Sequence, residues 1–182
     1  MAAWDKNKNN NVLGLMKMTN TYPRVINHVG VSVISLNKAV NWYEEVLGFS
    51  VLRRETIRAE DSSLISSNFK RIFGANFKRV QAAWLSSGNS VGFELFEFED
   101  PRAEQRTDNF EYWKTGIFHI CITDPNIEDL CKKICDNGGE QLTDILQVNN
   151  SKPYHKIVYC QDPFGNIIEI FTHSYEQFIA NT

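Results

Sequence analysis

The same order of residues occurs twice along the chain. A β-rich run, VINHVGVSVI around His28, leads into a helical pattern over 38–49, and a later strand, VGFELFEF, carries Glu94. From Ile117 the order returns as IFHICIT around His119, a second helical pattern, and a last strand, IIEIF, around Glu169. An internal repeat constrains the fold more than any single motif, because each copy must build the same unit and bury its apolar face against something. Each copy reads strand, helix, then three strands, so the chain is expected to be an α+β protein of paired βαβββ modules.

Local signals set the boundaries. Residues 1–22 are rich in Lys and Asn and precede any regular alternation, which is the pattern of a flexible N-terminal tail. The first module spans 23–98, with Asn37 as the expected cap of its helix and Gly48 as its stop. A polar and amphipathic insertion, 58–78, interrupts it and has the character of a lid, with 68–73 helical. Gly88 and Asn89 turn its last two strands. A connector over 99–116 leads to the second module, 117–174, whose helix opens at Asp124-Pro125-Asn126 and ends at Gly138-Gly139. Its strands are expected around 141–148, 155–161 and 167–174, and 175–182 is left as a C-terminal tail.

Composition excludes several classes. With 42% hydrophobic and 23% charged residues the chain is ordinary for a globular protein. A net charge of -3 offers no field for phosphate backbones, so nucleic acid is not an expected partner. No apolar run is long enough for a membrane span, and the start lacks the apolar centre of a signal peptide. Cys121, Cys131, Cys135 and Cys160 lack zinc-finger spacing and read as buried free thiols, which places the protein in the reducing cytoplasm.

The repeated His and Glu carry the chemistry. Glu169 lies between Ile168 and Ile170 after the turn Asp162-Pro163-Phe164-Gly165-Asn166, where a carboxylate is costly unless a cation meets it. Strand alternation puts His28 on the face of Gly30 and Ser32, and Glu94 on the face of Gly92, Phe96 and Phe98, while Val29, Val31, Phe93 and Leu95 pack behind. Modules facing each other would bring His28, Glu94, His119 and Glu169 into one cup. Two imidazoles and two carboxylates suit one divalent ion, Ni, Co, Zn, Fe or Mn, with water completing the shell. Trp84 and Tyr159 each stand ten residues before their module's Glu. With Phe96, Phe98 and Phe171 they form the expected substrate-binding set, suited to an apolar or aromatic small molecule. His155 and His173 have no counterpart in the first module.

HVGVSVISLNKAVNWYEEVLGF, HICIT and DPFGNIIEI together resemble the vicinal oxygen chelate superfamily, the glyoxalase, bleomycin-resistance and dioxygenase fold, over 24–173. The resemblance implies an eight-stranded cup, and metal ligands at His28, Glu94, His119 and Glu169. A complete set is similar to metal-dependent glyoxalase I, a lyase or isomerase acting through a metal-stabilised enolate on a small carbonyl or thiohemiacetal-type substrate, with Glu169 or Glu94 as the base. It leaves open whether one chain closes the cup or a homodimer exchanges modules. Glyoxalase I commonly holds glutathione with an Arg four residues after the first ligand and an Asn four after the second. Ser32 and Phe98 stand there, each a loss of about 1–3 kcal/mol for a glutathione conjugate. The epimerase branch keeps a Glu just before the third strand, where Phe77 and Lys78 stand. The alternatives are an extradiol-type Fe(II) dioxygenase using His28, His119 and Glu169, and a binding or sequestration protein without turnover.

Overall fold

Residues 23–107 and 110–180 are described by the computed structural model; the expected tail, 1–22, lies outside them. The first module runs β1 (His28–Ser32), α1 (Leu36–Leu47), β2 (Ser50–Arg58), α2 (Leu64–Phe73), β3 (Arg79–Ser86) and β4 (Gly92–Asp100). Its strands form one sheet in the order β1-β4-β3-β2, with β1 parallel to β4 and the other neighbours antiparallel. The second module runs β5 (Ile120–Thr123), α3 (Ile127–Asp136), β6 (Glu140–Gln141), β7 (Leu146–Gln147), β8 (Lys156–Gln161), β9 (Ile167–Phe171) and α4 (Tyr175–Ile179). Its sheet repeats the order, β5-β9-β8-β6, with β7 also on β8. The strand expected over 141–148 is thus two short pieces, because the intervening segment leaves the ladder.

Alternation along the strands explains the layering. Ala83, Leu85, Phe93 and Leu95 from the first sheet, and Val158, Cys160, Ile168 and Ile170 from the second, are buried in one core with Val40, Tyr43 and Val46 of α1 and Ile127, Leu130 and Ile134 of α3. Fully burying such side chains contributes roughly 1.5–3 kcal/mol each. Polar ties join the modules across this core. Trp42 Nε1 donates to the Asn137 carbonyl at 3.0 Å, and the Tyr43 hydroxyl donates to Asp162 Oδ2 at 2.5 Å. Asp162 in turn accepts from the Phe164 and Asn166 amides, so the turn that sets β8 against β9 is fastened to α1.

Helix ends differ in one respect from the sequence reading. Ser35, not Asn37, occupies the cap position of α1 and its side chain makes no capping bond. The Glu97 carboxylate accepts from the Leu36 amide at 2.6 Å instead, a distant acidic group serving the positive end of the helix. Gly48 ends α1 in the left-handed conformation, φ 69°, as its position suggests. Between β3 and β4 the positive φ falls on Ser90 rather than on Gly88 or Asn89.

Two segments left without firm structure are helices that cover sheet faces. The insertion forms α2 over 64–73, longer than expected, and a second core gathers beneath it from Ile57, Phe77, Val80 and Ala82, with Phe69, Phe96 and Phe98 packed on it. The segment read as a C-terminal tail forms α4, because Phe178 stacks on Phe171 with ring centroids 4.1 Å apart. Among the thiols, Cys131 and Cys160 are buried as expected, whereas Cys121 and Cys135 are exposed.

Candidate metal centre

Within each module the His and Glu singled out by the repeat come together. Parallel register sets His28 beside Gly92 and Gly30 beside Glu94, so the imidazole and the carboxylate lie diagonally on one face. His28 Nε2 is 3.6 Å from Glu94 Oε2, and His119 Nε2 is 3.2 Å from Glu169 Oε2. Two donors about 2.1 Å from a shared ion at a right angle stand about 3 Å apart, so both separations fit ligation. Both pairs lie on the sheet face turned away from the shared core. The single chain does not join them: among the described residues no three His, Cys, Asp or Glu side chains converge as a metal site.

The hydrogen bonds around the histidines favour a cation. In the tautomer with the ring proton on Nδ1, His28 donates to Asn27 Oδ1 at 2.9 Å. Nε2 then turns its lone pair toward a carboxylate oxygen at a distance too long for a hydrogen bond. Two acceptors held face to face are the arrangement a positive ion satisfies. His119 leaves Nδ1 buried with no protein partner, and its ring is packed by Phe118 and Tyr159.

The two carboxylates have different neighbours. Cys121 stands opposite Glu169 on one side and Tyr159 on the other, in one cross-strand row. Loss of water and the nearby Glu169 carboxylate push the Cys121 thiol up to about 12 and raise the Tyr159 hydroxyl above its ordinary value. The matching row of the first module is Gly30, Glu94, Trp84 and Arg53. There the guanidinium of Arg53 lies over the Trp84 ring, 5.5 Å from its centroid, and pairs with Glu55. Side-chain exposure follows: 10% for Glu169 and 23% for Glu94.

The aromatic residues named from the sequence divide into two groups. Trp84 and Tyr159 flank the carboxylates. Phe96 and Phe98 sit further along the same face, where Phe69 of α2 lies 6.2 Å from Phe96 and Phe73 lies 5.1 Å from Phe98. Phe171 is buried beneath Phe178. Cys121 escaped the sequence reading, which treated it only as a thiol; setting His28-Val29-Gly30 against His119-Ile120-Cys121 marks it as the residue replacing a glycine. A groove of about 460 Å³ runs along β1 and the segment before β5, touching His119 but none of the other three candidate ligands.

Comparison with known proteins agrees with the fold. Residues 25–170 match the family model described as the Glyoxalase/Bleomycin resistance protein/Dioxygenase superfamily. The chain is a member of that superfamily. Among curated proteins, a virulence protein of Salmonella typhimurium is 24% identical over 147 residues, covering 80% of this chain and 81% of that one. Among solved structures, a glyoxalase family protein from Bacillus cereus superposes with TM-score 0.68 at 19% identity, covering 85% of this chain and 97% of the other. A mutant of the fosfomycin resistance protein FosX from Listeria monocytogenes, complexed with Mn(II) and 1S,2S-dihydroxypropylphosphonic acid, gives 0.56 at 12% identity, covering 86% and 98%.

Proposed function

We propose that the protein is a metal-dependent enzyme of the glyoxalase type, a lyase or isomerase that moves a proton on a small carbonyl or thiohemiacetal-type substrate. The reading rests on one observation above the others: each module holds a His nitrogen and a Glu oxygen face to face at 3.6 and 3.2 Å, with His28 Nδ1 directed to Asn27. His28, Glu94, His119 and Glu169 are the ligands of one divalent ion per site, Ni, Co, Zn, Fe or Mn. When bound, the ion supplies Lewis acidity toward neighbouring substrate oxygens.

Two donors are fewer than such an ion takes, so one pair alone makes an incomplete site. A second copy of this chain supplies the rest. Among the described residues, β1 and β5 each pair on one side only. Val25, Ile26, Ile34 and Ile117 beside them are exposed, and unpaired edges next to apolar residues favour association. Pairing of first and second modules between two copies sets His28 and Glu94 of one against the other's second pair.

The chain's own groups then divide the work. The histidines orient the ion, a Glu carboxylate holds the proton taken from the substrate carbon, and Trp84 and Tyr159 form walls beside the carboxylates. The face beyond Trp84 is closed by α2 through Phe69 and Phe73, which favours a compact, largely apolar substrate over a glutathione conjugate. Four free cysteines support a reducing compartment, the cytoplasm. No helix among the described residues is long and apolar enough to cross a membrane.

The test is elemental analysis of protein purified without added metal, then turnover of the methylglyoxal–glutathione hemithioacetal after reconstitution with Ni, Co, Zn or Fe(II). Turnover lost on chelation and regained with metal supports the reading. Bound metal without that turnover keeps the centre and redirects the search to smaller carbonyls and to diols with oxygen uptake. Failure to bind any of these ions overturns it.

A further inference from the structure

We infer that α4 is a pH-sensitive latch: it closes over the end of β9 while His155 and His173 are uncharged, and protons on this histidine pair release it. The pair lies apart from the His–Glu pairs and has no counterpart in the first module, so the repeat does not account for it. The latch does not depend on whether the protein binds an ion.

Five rings gather where α4 meets the sheet. Phe178 lies on Phe171 at the end of β9 and also stacks on His155, with ring centroids 5.2 Å apart and planes 17° from parallel. His173 packs against His155 at 4.4 Å, and Tyr154 flanks both, at 5.0 and 5.4 Å. His155 is 4% exposed, and its Nδ1 has no protein partner. A neutral imidazole tolerates that setting. An imidazolium has two N–H donors to satisfy; a phenyl face offsets part of its charge but supplies no oxygen or nitrogen acceptor for Nδ1–H. The charged and titratable neighbours add no compensation. The segment before β8 brings Lys152 and Tyr154, β8 brings Lys156, the joint after β9 brings His173, α4 brings Tyr175 and Glu176, and β9 brings the uncharged Phe171. Lys156 is paired with Glu128 of α3, and Tyr175 and Glu176 are exposed. No ion pair among the described residues includes His155 or His173. Burial, His173 and Lys152 together hold the His155 imidazole below its ordinary value.

Of the parts in contact, the helix is the one able to move. The His155 amide donates to the Lys152 carbonyl at 2.9 Å, and its carbonyl accepts from the Val148 amide at 3.1 Å, so the ring cannot withdraw. The Thr172 hydroxyl donates to the Tyr154 carbonyl at 2.8 Å and accepts from the Lys156 amide at 3.0 Å, with His173 Nδ1 2.9 Å away. α4 has 5 residues, too few to persist without its contacts, and its buried residue is Phe178. Tyr175 and Ile179 are exposed. His155 binds its proton less readily with α4 closed than with α4 open. Closure is therefore fully stable above the ordinary histidine value, about 6.5, and weakens as pH falls through the closed-state value. Opening uncovers Phe171, two residues beyond Glu169 and on the same face of β9.

The test is amide hydrogen exchange of the full chain at about pH 7.5 and about pH 5, corrected for intrinsic rates, with the His155 and His173 ring protons titrated by NMR. The Phe178 and Ala180 amides bond to the Ser174 and Glu176 carbonyls, and their protection reports closure. It is expected to fall at least about ten-fold at the lower pH, the effect of a ten-fold difference in proton affinity between closed and open forms, while Ile168 and Ile170 in β9 keep theirs. His155→Phe keeps a stacked ring without a proton and holds α4 protection within about two-fold between the two conditions. His173→Gln lessens the loss, and Phe178→Ala opens the helix at both. The inference is overturned if α4 of the parent is equally protected at both pH values, if β9 loses protection in step with it, or if His155→Phe opens on acidification as the parent does. The parent decides the matter even where His155→Phe does not fold: opening of α4 that follows the titration of His155 and His173 supports the latch, and opening that does not follow it overturns the latch.

Discussion

At the scale of single residues, the proposed site depends on small groups as much as on the candidate ligands. A Cβ added at Gly92 comes within 2.9 Å of His28 Cβ, a contact with an atom too close to the backbone to swing away. Gly92→Ala is therefore expected to cost about 1–3 kcal/mol and to weaken metal binding by displacing His28. Gly30→Ala is the matched control, since its nearest neighbour is Phe96 at 3.6 Å, an ordinary contact. Thermal melts and Mn(II) titrations of the pair check both statements; equal behaviour of the two variants contradicts them. The four candidate ligands were legible in the sequence because the repeat displays them twice. Cys121 was not, because its meaning lies in a register between strands distant in sequence, opposite Glu169 on β9, and a thiol read alone says only that it is small and apolar.

At the scale of elements, the two modules are joined by α1 and the turn between β8 and β9. Tyr43→Phe removes the hydroxyl that donates to Asp162 and is expected to cost about 1.5–3 kcal/mol, the range for a hydrogen bond to a charged group, measured by denaturant unfolding. Burial holds the Asp162 carboxyl above its ordinary value, outweighing the hydrogen bonds from Tyr43, Asn166 and the Phe164 amide that pull it down. The folded chain thus binds this proton more tightly than the unfolded chain. The corresponding stability is fully present below the unfolded value and is lost as pH rises through the folded one. Asp162→Asn abolishes that dependence, so the parent gains stability relative to the variant as pH falls from neutrality into the usual aspartate range; unfolding curves across that range check the sign. The strands and both main helices were readable from periodicity and glycine stops. The α1 cap was not, because the acceptor is Glu97 on β4, 61 residues away. α2 and α4 were underestimated for a related reason: each is short, and only the sheet face it covers makes it stable.

At the scale of the whole molecule, the repeat yields two sheets with one order of strands, and one core shared through α1 and α3. Sequence periodicity shows that such units exist; it carries no information on how their outer faces meet, which depends on side chains from segments far apart and on a second chain. The two His–Glu pairs remain separate in one chain, and the proposed centre is made by bringing unlike pairs together between copies. A chain with the first pair removed (His28→Ala, Glu94→Gln) and a chain with the second removed (His119→Ala, Glu169→Gln) are each expected to lose tight metal binding. Dissociated and reassociated as a mixture, they regenerate an intact site in every mixed dimer, because the surviving pairs come from different chains. Equilibrium dialysis of the mixture against Mn(II) is therefore the most direct measurement. Each double variant alone should bind none tightly, and the reassociated mixture should recover parent-like affinity at a quarter of the parent stoichiometry for random pairing. Tight binding by either double variant alone, or a mixture that binds no better than its components while the parent binds fully, contradicts a centre shared between two copies.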